Sequence, residues 1–171
     1  MARRPAEVEF RRATDRDADA VAALFRETRL SALPYLPVLH SPREEREYFR
    51  DRVLVTCEVW VAEALGCIIG FCAFREGWVE HLYVHPVHAR TGIGRTLLNK
   101  AKQSYPQLHL WVFQRNEKAK AFYAAMGFSC VKQTDGADNE EREPDALFYW
   151  STDSRQRAFA SSETHERRIW T

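Results

Sequence analysis

Arg90-Thr91-Gly92-Ile93-Gly94 follows an extended apolar segment and opens a run with helical spacing, and that arrangement can hold an anion. A helix start leaves main-chain N–H groups unpaired and carries partial positive charge, and glycine lets a phosphate approach the backbone closely. Any strand-to-helix loop also favours glycine, so the turn alone does not name a ligand. Two familiar phosphate readers are excluded. The dinucleotide fingerprint needs a third small residue where Leu97 stands, and no GxxxxGK[ST] occurs in the chain. The loop from His85 to Thr91 is also too long for a dinucleotide fold, whose glycines follow their strand at once. His81, His85 and His88 sit close together, but Pro86 interrupts them and no carboxylate or cysteine joins them. They read as loop and surface histidines, and no metal site is expected.

The elements that must position this turn are marked by periodicity and punctuation. Residues 7–12 read as a short strand, and Thr14 with Asp17 forms a capping box ahead of Val21, Leu24 and Phe25. Ser41-Pro42-Arg43-Glu44 starts a second helix in the same way. Residues 57–64 and 67–74 form a hairpin about Leu65-Gly66, and Trp78 to Val84 is a further strand halted by His85-Pro86. A helix follows Gly92 with Ile93, Leu97 and Ala101 on one face. QLHLWVF is the next strand, and Asn116 caps a helix whose Ala119, Phe122 and Met126 share a stripe before Gly127. Strands near 129–133 and 144–150 complete the domain. An acidic loop lies between them, and a polar tail runs from 151 to 171.

Charge and composition bound the partners. Lys and Arg number 25 against 24 Asp and Glu, giving +1, and 45% of residues are hydrophobic. That balance suits one globular domain and recruits neither nucleic acid nor an anionic membrane. The longest stretch free of charged side chains, Leu30 to Pro42, is too short to span a bilayer and contains three prolines. The opening MARRPAEVEFRR lacks the apolar run of a secretory signal, so the expected compartment is the cytoplasm. Cys57, Cys67, Cys72 and Cys130 match no zinc or redox spacing and read as reduced core residues.

Taken together, WVEHLYVHP, ARTGIGRTLL and VFQRNEKAKAFYAAMGF resemble the GCN5-related N-acetyltransferase (GNAT) family. That family carries a [QR]xxGx[GA] turn, then an Asn, a Tyr in the next helix and a closing Gly-Phe. These are matched here by Gly92, Gly94, Asn116, Tyr123, Gly127 and Phe128, within a resemblance running from Val8 to Trp150. One position departs: Ala89 stands where Gln or Arg is usual, with Arg90 beside it.

The resemblance implies an α/β (α+β) fold: a mixed, mostly antiparallel sheet of about seven strands flanked by about four helices. The fourth and fifth strands splay apart, the domain occupies residues 1–150, and residues 151–171 form the tail. It further implies an acetyl-CoA-dependent N-acetyltransferase acting by direct attack of a primary amine from a small molecule or peptide. The alternative is an acyl-CoA-binding sensor without catalysis, and a homodimer is left open.

By position, the coenzyme would lie against Leu82, Val84, Ala89, Arg90, Thr91, Gly92, Ile93, Gly94, Arg95, Asn116 and Tyr123. Arg90 or Arg95 would meet its phosphates. The Leu82 amide would polarise the thioester carbonyl, and Tyr123 would serve the leaving sulfur. Glu80, at strand period two from Leu82 and Val84, is the expected base through a water, with His81 on the opposite face in reserve. The acceptor would be bordered by residues 29–40 and by the loop 134–145. The acids of that loop would attract a cationic amine if it is more than a solvated charge run.

Overall fold

Two hairpins whose turns demand a left-handed backbone set the register of the sheet. Leu65 and Gly66 (φ 52° and 76°) join β2 (Glu58–Ala64) to β3 (Cys67–Arg75), and Glu76 and Gly77 (φ 49° and 79°) join β3 to β4 (Trp78–Val84). Such turns match the right-handed twist of paired strands. The computed structural model describes residues 7–153. In it β1 (Glu9–Arg12), β5 (Gln107–Phe113), β6 (Ser129–Gln133) and β7 (Asp145–Ser151) complete a seven-stranded sheet of order β1-β2-β3-β4-β5-β7-β6. Every pairing is antiparallel except β4 with β5.

Helices cover both faces. α1 (Ala18–Ala32) and α2 (Pro42–Tyr48) lie on one side; α2 continues through a π-helical turn, Phe49–Val53, into the short α3 (Leu54–Thr56). Phe25 and Phe49 from this layer bury against Val61 and Phe71 of the sheet. α4 (Ile93–Ser104) and α5 (Glu117–Ala125) cover the other side, where Ile93, Leu97 and Ala101 pack with Leu108, Leu110 and Val112. Both expected capping boxes form, at Thr14 with Asp17 and at Ser41 with Glu44. Among the described residues no helix is long and apolar enough to cross a membrane. The expected tail falls, from 154 to 171, outside the described residues.

The four cysteines are all free, but they do not share the expected core position. Cys72 is buried and Cys57 half-buried, whereas Cys67 and Cys130 are exposed. Cys67 opens β3 beside a turn, and Cys130 lies on the outermost strand. An apolar neighbourhood in sequence does not bury a residue at a strand end or a sheet edge.

One half-buried ionic network gives a pH test of stability. Arg11 grips Asp17 with two bonds of 2.9 Å and Glu63 with bonds of 2.9 and 2.6 Å, tying β1 to β2 and to the start of α1. The Arg11 guanidinium holds the Asp17 carboxyl down from 3.8 to about 2, opposing burial and aided by the Thr14 amide and hydroxyl. A carboxyl depressed in the folded state stabilises the fold above its unfolded pKa, and that contribution is lost as pH falls through the folded value. The loss is about 2 kcal/mol. Denaturant titrations between pH 5 and 2 are expected to show this loss in the wild type and a flatter dependence in Asp17→Asn. Parallel profiles would remove the assignment.

Candidate active site

The glycine turn is built by its flanks. Pro86 starts a 3-10 turn (Pro86–His88), and the Thr91 hydroxyl donates to the His88 carbonyl at 2.6 Å. Arg90 (φ 64°) and Gly92 (φ 89°), the N-cap of α4, then turn the chain into the helix. Among the described residues, no hydrogen bond uses the amides of Arg90, Thr91, Gly92, Ile93, Gly94 or Arg95. For 93–95 the cause is helix geometry, since the first-turn amides have no preceding carbonyl to reach. The Thr91 hydroxyl is turned back on the loop and the Ile93 side chain is buried in the core, so these two residues face the turn through their amides.

These donors open onto a groove of about 580 Å³. Leu82 and Val84 of β4 form its floor, Ala89, Arg90, Gly92, Gly94 and Arg95 one wall, and α5 the other. Arg90, Arg95 and Lys118 line it, and no carboxylate does, so its field favours a polyanion. Lys118 is absent from the residues expected to bind. Its signal in the sequence was its place two residues into the helix capped by Asn116, next to Ala119, which also lines the groove.

The sheet opens where the groove ends. β4 and β5 share only the register pair Trp78↔His109, reinforced by the His109 amide donating to the Gly77 carbonyl at 2.8 Å. Beyond it β4 stays with β3 and β5 with β7, leaving a wedge of about 100 Å³. The His85 amide donates to the Ile69 carbonyl. Antiparallel alternation then turns the main chain of Tyr83 and His81 toward β3 and that of Leu82 and Val84 toward the open side. Leu82, Ala119 and Tyr123 line both groove and wedge and mark their junction. Asn116 lines the wedge instead of the groove, and its Oδ1 accepts the Ala119 amide at 3.1 Å as a helix cap.

Tyr123 is buried among Phe122, Phe128 and Phe148, and burial pushes its phenol far above the usual range. Glu80 corrects the expectation drawn from strand period. Ala73 pairs with His81 but Phe74 with Val79, so Glu80 is the extra residue of a β-bulge. The bulge breaks the alternation: Val79, Leu82 and Val84 pack on the α4 side, while Glu80 lies toward Tyr48 and Cys57. Burial, with Glu80 adding to it, raises the Cys57 thiol to about 11. Arg75 donates to the Glu80 carboxylate at 3.0 Å, and Glu80 still lines the wedge.

His81 does face away from Leu82, but it is no surface histidine as the sequence suggested: it is buried against Phe25 and Phe49. Burial and then the Arg29 cation lower its pKa to about 3, so it is neutral at pH 7. The other two histidines lie apart from it, His85 meeting Glu27 at 3.0 Å.

The far end of the wedge is covered by the segment after α1. Leu33 and Leu36 pack on Phe113, and Arg115 stacks over the Tyr35 ring at 4.2 Å. The acidic loop does not stand free as a solvated charge run. Glu141 is bound by Arg29, Glu140 by His40 at 2.8 Å, and Asp145 by the Thr134 hydroxyl and by Asn139 at 3.0 Å. Asp135 and Asp138 remain exposed.

Comparison with known proteins gives the family and the fold. A family model described as an acetyltransferase (GNAT) domain matches residues 56–130. The peptidyl-lysine N-acetyltransferase YiaC of Escherichia coli is 39% identical over 83 residues, 48% of this chain, and the chain spans 57% of the length of that relative. The probable N-acetyltransferase Rv2775 of Mycobacterium tuberculosis is 31% identical over 142 residues, covering 73% of this chain and 82% of the relative. Among solved structures, apo YjaB from Escherichia coli superposes with a TM-score of 0.69 at 22% identity over 84% of this chain and 97% of its own. PaiA N-acetyltransferase from Thermoplasma acidophilum, solved with coenzyme A, superposes with a TM-score of 0.63 at 21% identity over 85% and 99%. The two structures share the overall fold, and the sequence match to Rv2775 extends over most of both chains. On that likeness, the chain belongs to the GNAT family of acetyltransferases.

Proposed function

We propose that this protein transfers an acetyl group from acetyl-CoA to a primary amine of a small molecule or peptide. One observation carries the reading: the unpaired amides of residues 90–95 open onto a cationic groove that runs into the β4–β5 wedge at Leu82 and Tyr123. The residues fit the coenzyme. The 90–95 amides, Arg90, Arg95 and Lys118 suit its phosphates, and Leu82 and Val84 offer main-chain partners to its extended arm. Bound acetyl-CoA supplies an activated acyl group on a thiol leaving group. The Leu82 amide donates to the acyl carbonyl oxygen, where negative charge develops. Tyr123 donates to the departing sulfur, and Asn116 holds the start of α5 so that Tyr123 is aimed.

The acceptor amine must lose a proton. With a pKa near 10.4, deprotonation at pH 7 costs about 4.6 kcal/mol. His81, lowered to about 3, is too weak a base to help. Glu80 lines the wedge as a carboxylate held by Arg75, and it accepts the proton through a water. YiaC bears the name of a peptidyl-lysine N-acetyltransferase, and a lysine side chain belongs to the proposed acceptor class.

Thiol release from acetyl-CoA across a panel of amines and peptides tests the reaction. Heat of acetyl-CoA binding with no thiol release would favour the non-catalytic sensor. For the base, Glu80→Gln is expected to lower kcat/KM about 10²-fold at pH 7. The deficit should shrink toward pH 10 as the amine deprotonates by itself. A deficit independent of pH would remove the role.

A further inference from the structure

The two faces of the wedge differ in chemistry. Val79, Leu82, Leu110 and Tyr123 belong to the core under α4 and α5, on the side where the coenzyme groove arrives. Tyr83 packs instead with the layer under α1, and Phe113 with Leu33 and Leu36. β5 pairs with β7 without a bulge, so alternation turns Trp111, between Leu110 and Val112, to the same side as Phe113. An acceptor that meets the acyl group at Leu82 from the opposite face therefore passes Leu33, Phe113, Trp111 and Tyr83, all of which line the wedge.

That passage is aromatic and aliphatic, and its charge is balanced. Glu80 is the one carboxylate of the lining and is bound by Arg75, His81 is neutral at pH 7, and no lysine or arginine lines the wedge. Leu33 and Phe113 are buried, whereas Tyr83 and Trp111 are only part-buried and keep surface that an entering group can touch. The wedge is slender, about 100 Å³, which suits an unbranched group. From Trp111 to Phe113 the strand advances about 6.6 Å, the reach of a four-carbon chain. A polar atom set against ring faces and aliphatic carbons loses its water, whereas methylenes gain by leaving water. The same desolvation favours the neutral amine, which is the form that attacks.

We propose that the α1 side of the wedge is an aromatic slot for the apolar stem of the acceptor, with Trp111 as its specificity-determining residue. The acceptor is then a primary amine on an unbranched run of methylenes. Amino sugars and the α-amino groups of peptides are disfavoured, because their polar atoms begin beside the amine-bearing carbon. The assignment rests on the acetyltransferase reading and narrows its acceptor class.

Steady-state kinetics with acetyl-CoA and three acceptors test it: n-butylamine, its ether isostere 2-methoxyethylamine, and Nα-acetyllysine amide. Butylamine is expected to exceed the ether about tenfold in kcat/KM. The ether oxygen makes its amine less basic, so ease of proton loss alone would favour the ether, and the opposite order reads the packing. Trp111→Ala should bring the ratio near one, and Trp111→Phe should keep most of it. Nα-Acetyllysine amide outperforming butylamine marks a polypeptide lysine as the source of the stem, and the reverse marks a free alkylamine. A wild-type ratio near one, or a ratio untouched by Trp111→Ala, overturns the slot and leaves the transferase reading intact. Should Trp111→Ala fail to fold, competitive inhibition of the wild type against butylamine decides. Inhibition by n-butanol about tenfold tighter than by 2-methoxyethanol supports the slot, and equal potency overturns it. If no amine releases thiol, the transferase reading fails, and calorimetry with butylamine and 2-methoxyethylamine then decides the slot separately. Tighter binding of butylamine supports it, and equal affinities or no heat overturn it.

Discussion

Tyr123→Phe is expected to lower kcat by about 10- to 100-fold while leaving acetyl-CoA affinity and fold stability near wild type. The size follows from removing one hydrogen bond to a sulfur that gains charge as the bond to the acyl carbon breaks. Full proton transfer is not needed. A thiol has a pKa near 8.5 and tyrosine one near 10, and burial pushes Tyr123 higher still, so in the proposed reaction it would donate a hydrogen bond and keep its proton. The same burial means that no alkaline loss of rate should trace to Tyr123 anywhere in an ordinary assay range. Stability should hold because the ring that packs against Phe122 and Phe128 remains in the variant. Rapid-quench turnover with saturating amine, beside calorimetric titration with acetyl-CoA, separates the two effects. An unchanged kcat would mean that Tyr123 only packs, and loss of coenzyme affinity would mean that it shapes the groove.

Local rules made much of the scaffold legible. The two capping boxes, the turn at Leu65-Gly66 and the Asn116 cap each depend on residues within a few positions of one another, and all four form as read. The free amides at 93–95 were legible for the same reason, since a helix start has no preceding turn to bond to. The bulge at Glu80 was not. It is a property of the register between β3 and β4, which the alternation within β4 alone cannot reveal. The acidic loop was left open, between a solvated run and an attracting surface, for a related cause. Its charges look solvated until Arg29, distant in sequence, and His40 are brought against Glu141 and Glu140 by the fold. Lys118 faced a similar limit, because a helix position next to a cap does not say which groove it borders until α5 is docked beside β4.

Gly92→Val is expected to weaken acetyl-CoA binding about 100-fold. At φ 89° a β-branched residue is strained by more than the 1–2 kcal/mol typical of a left-handed L-residue, so the loop relieves itself by rotating about residue 92. That rotation re-aims the Thr91, Gly92 and Ile93 amides, and two misdirected donors to a charged phosphate account for the loss. Crowding is not the cause, since a Cβ at Gly92 would meet nothing within 4 Å. Gly94→Ala supplies the contrast. Gly94 is helical, and an added methyl would touch Phe122 at 3.5 Å and Val84 at 3.7 Å, which is ordinary contact. It narrows the groove without turning the backbone, so its effect on affinity should be several-fold smaller than that of Gly92→Val. If the two variants weaken binding equally, bulk in the groove and not the aim of the amides governs the coenzyme. If Gly92→Val binds as the wild type does with α4 intact, phosphate recognition must pass instead to Arg90, Arg95 and Lys118.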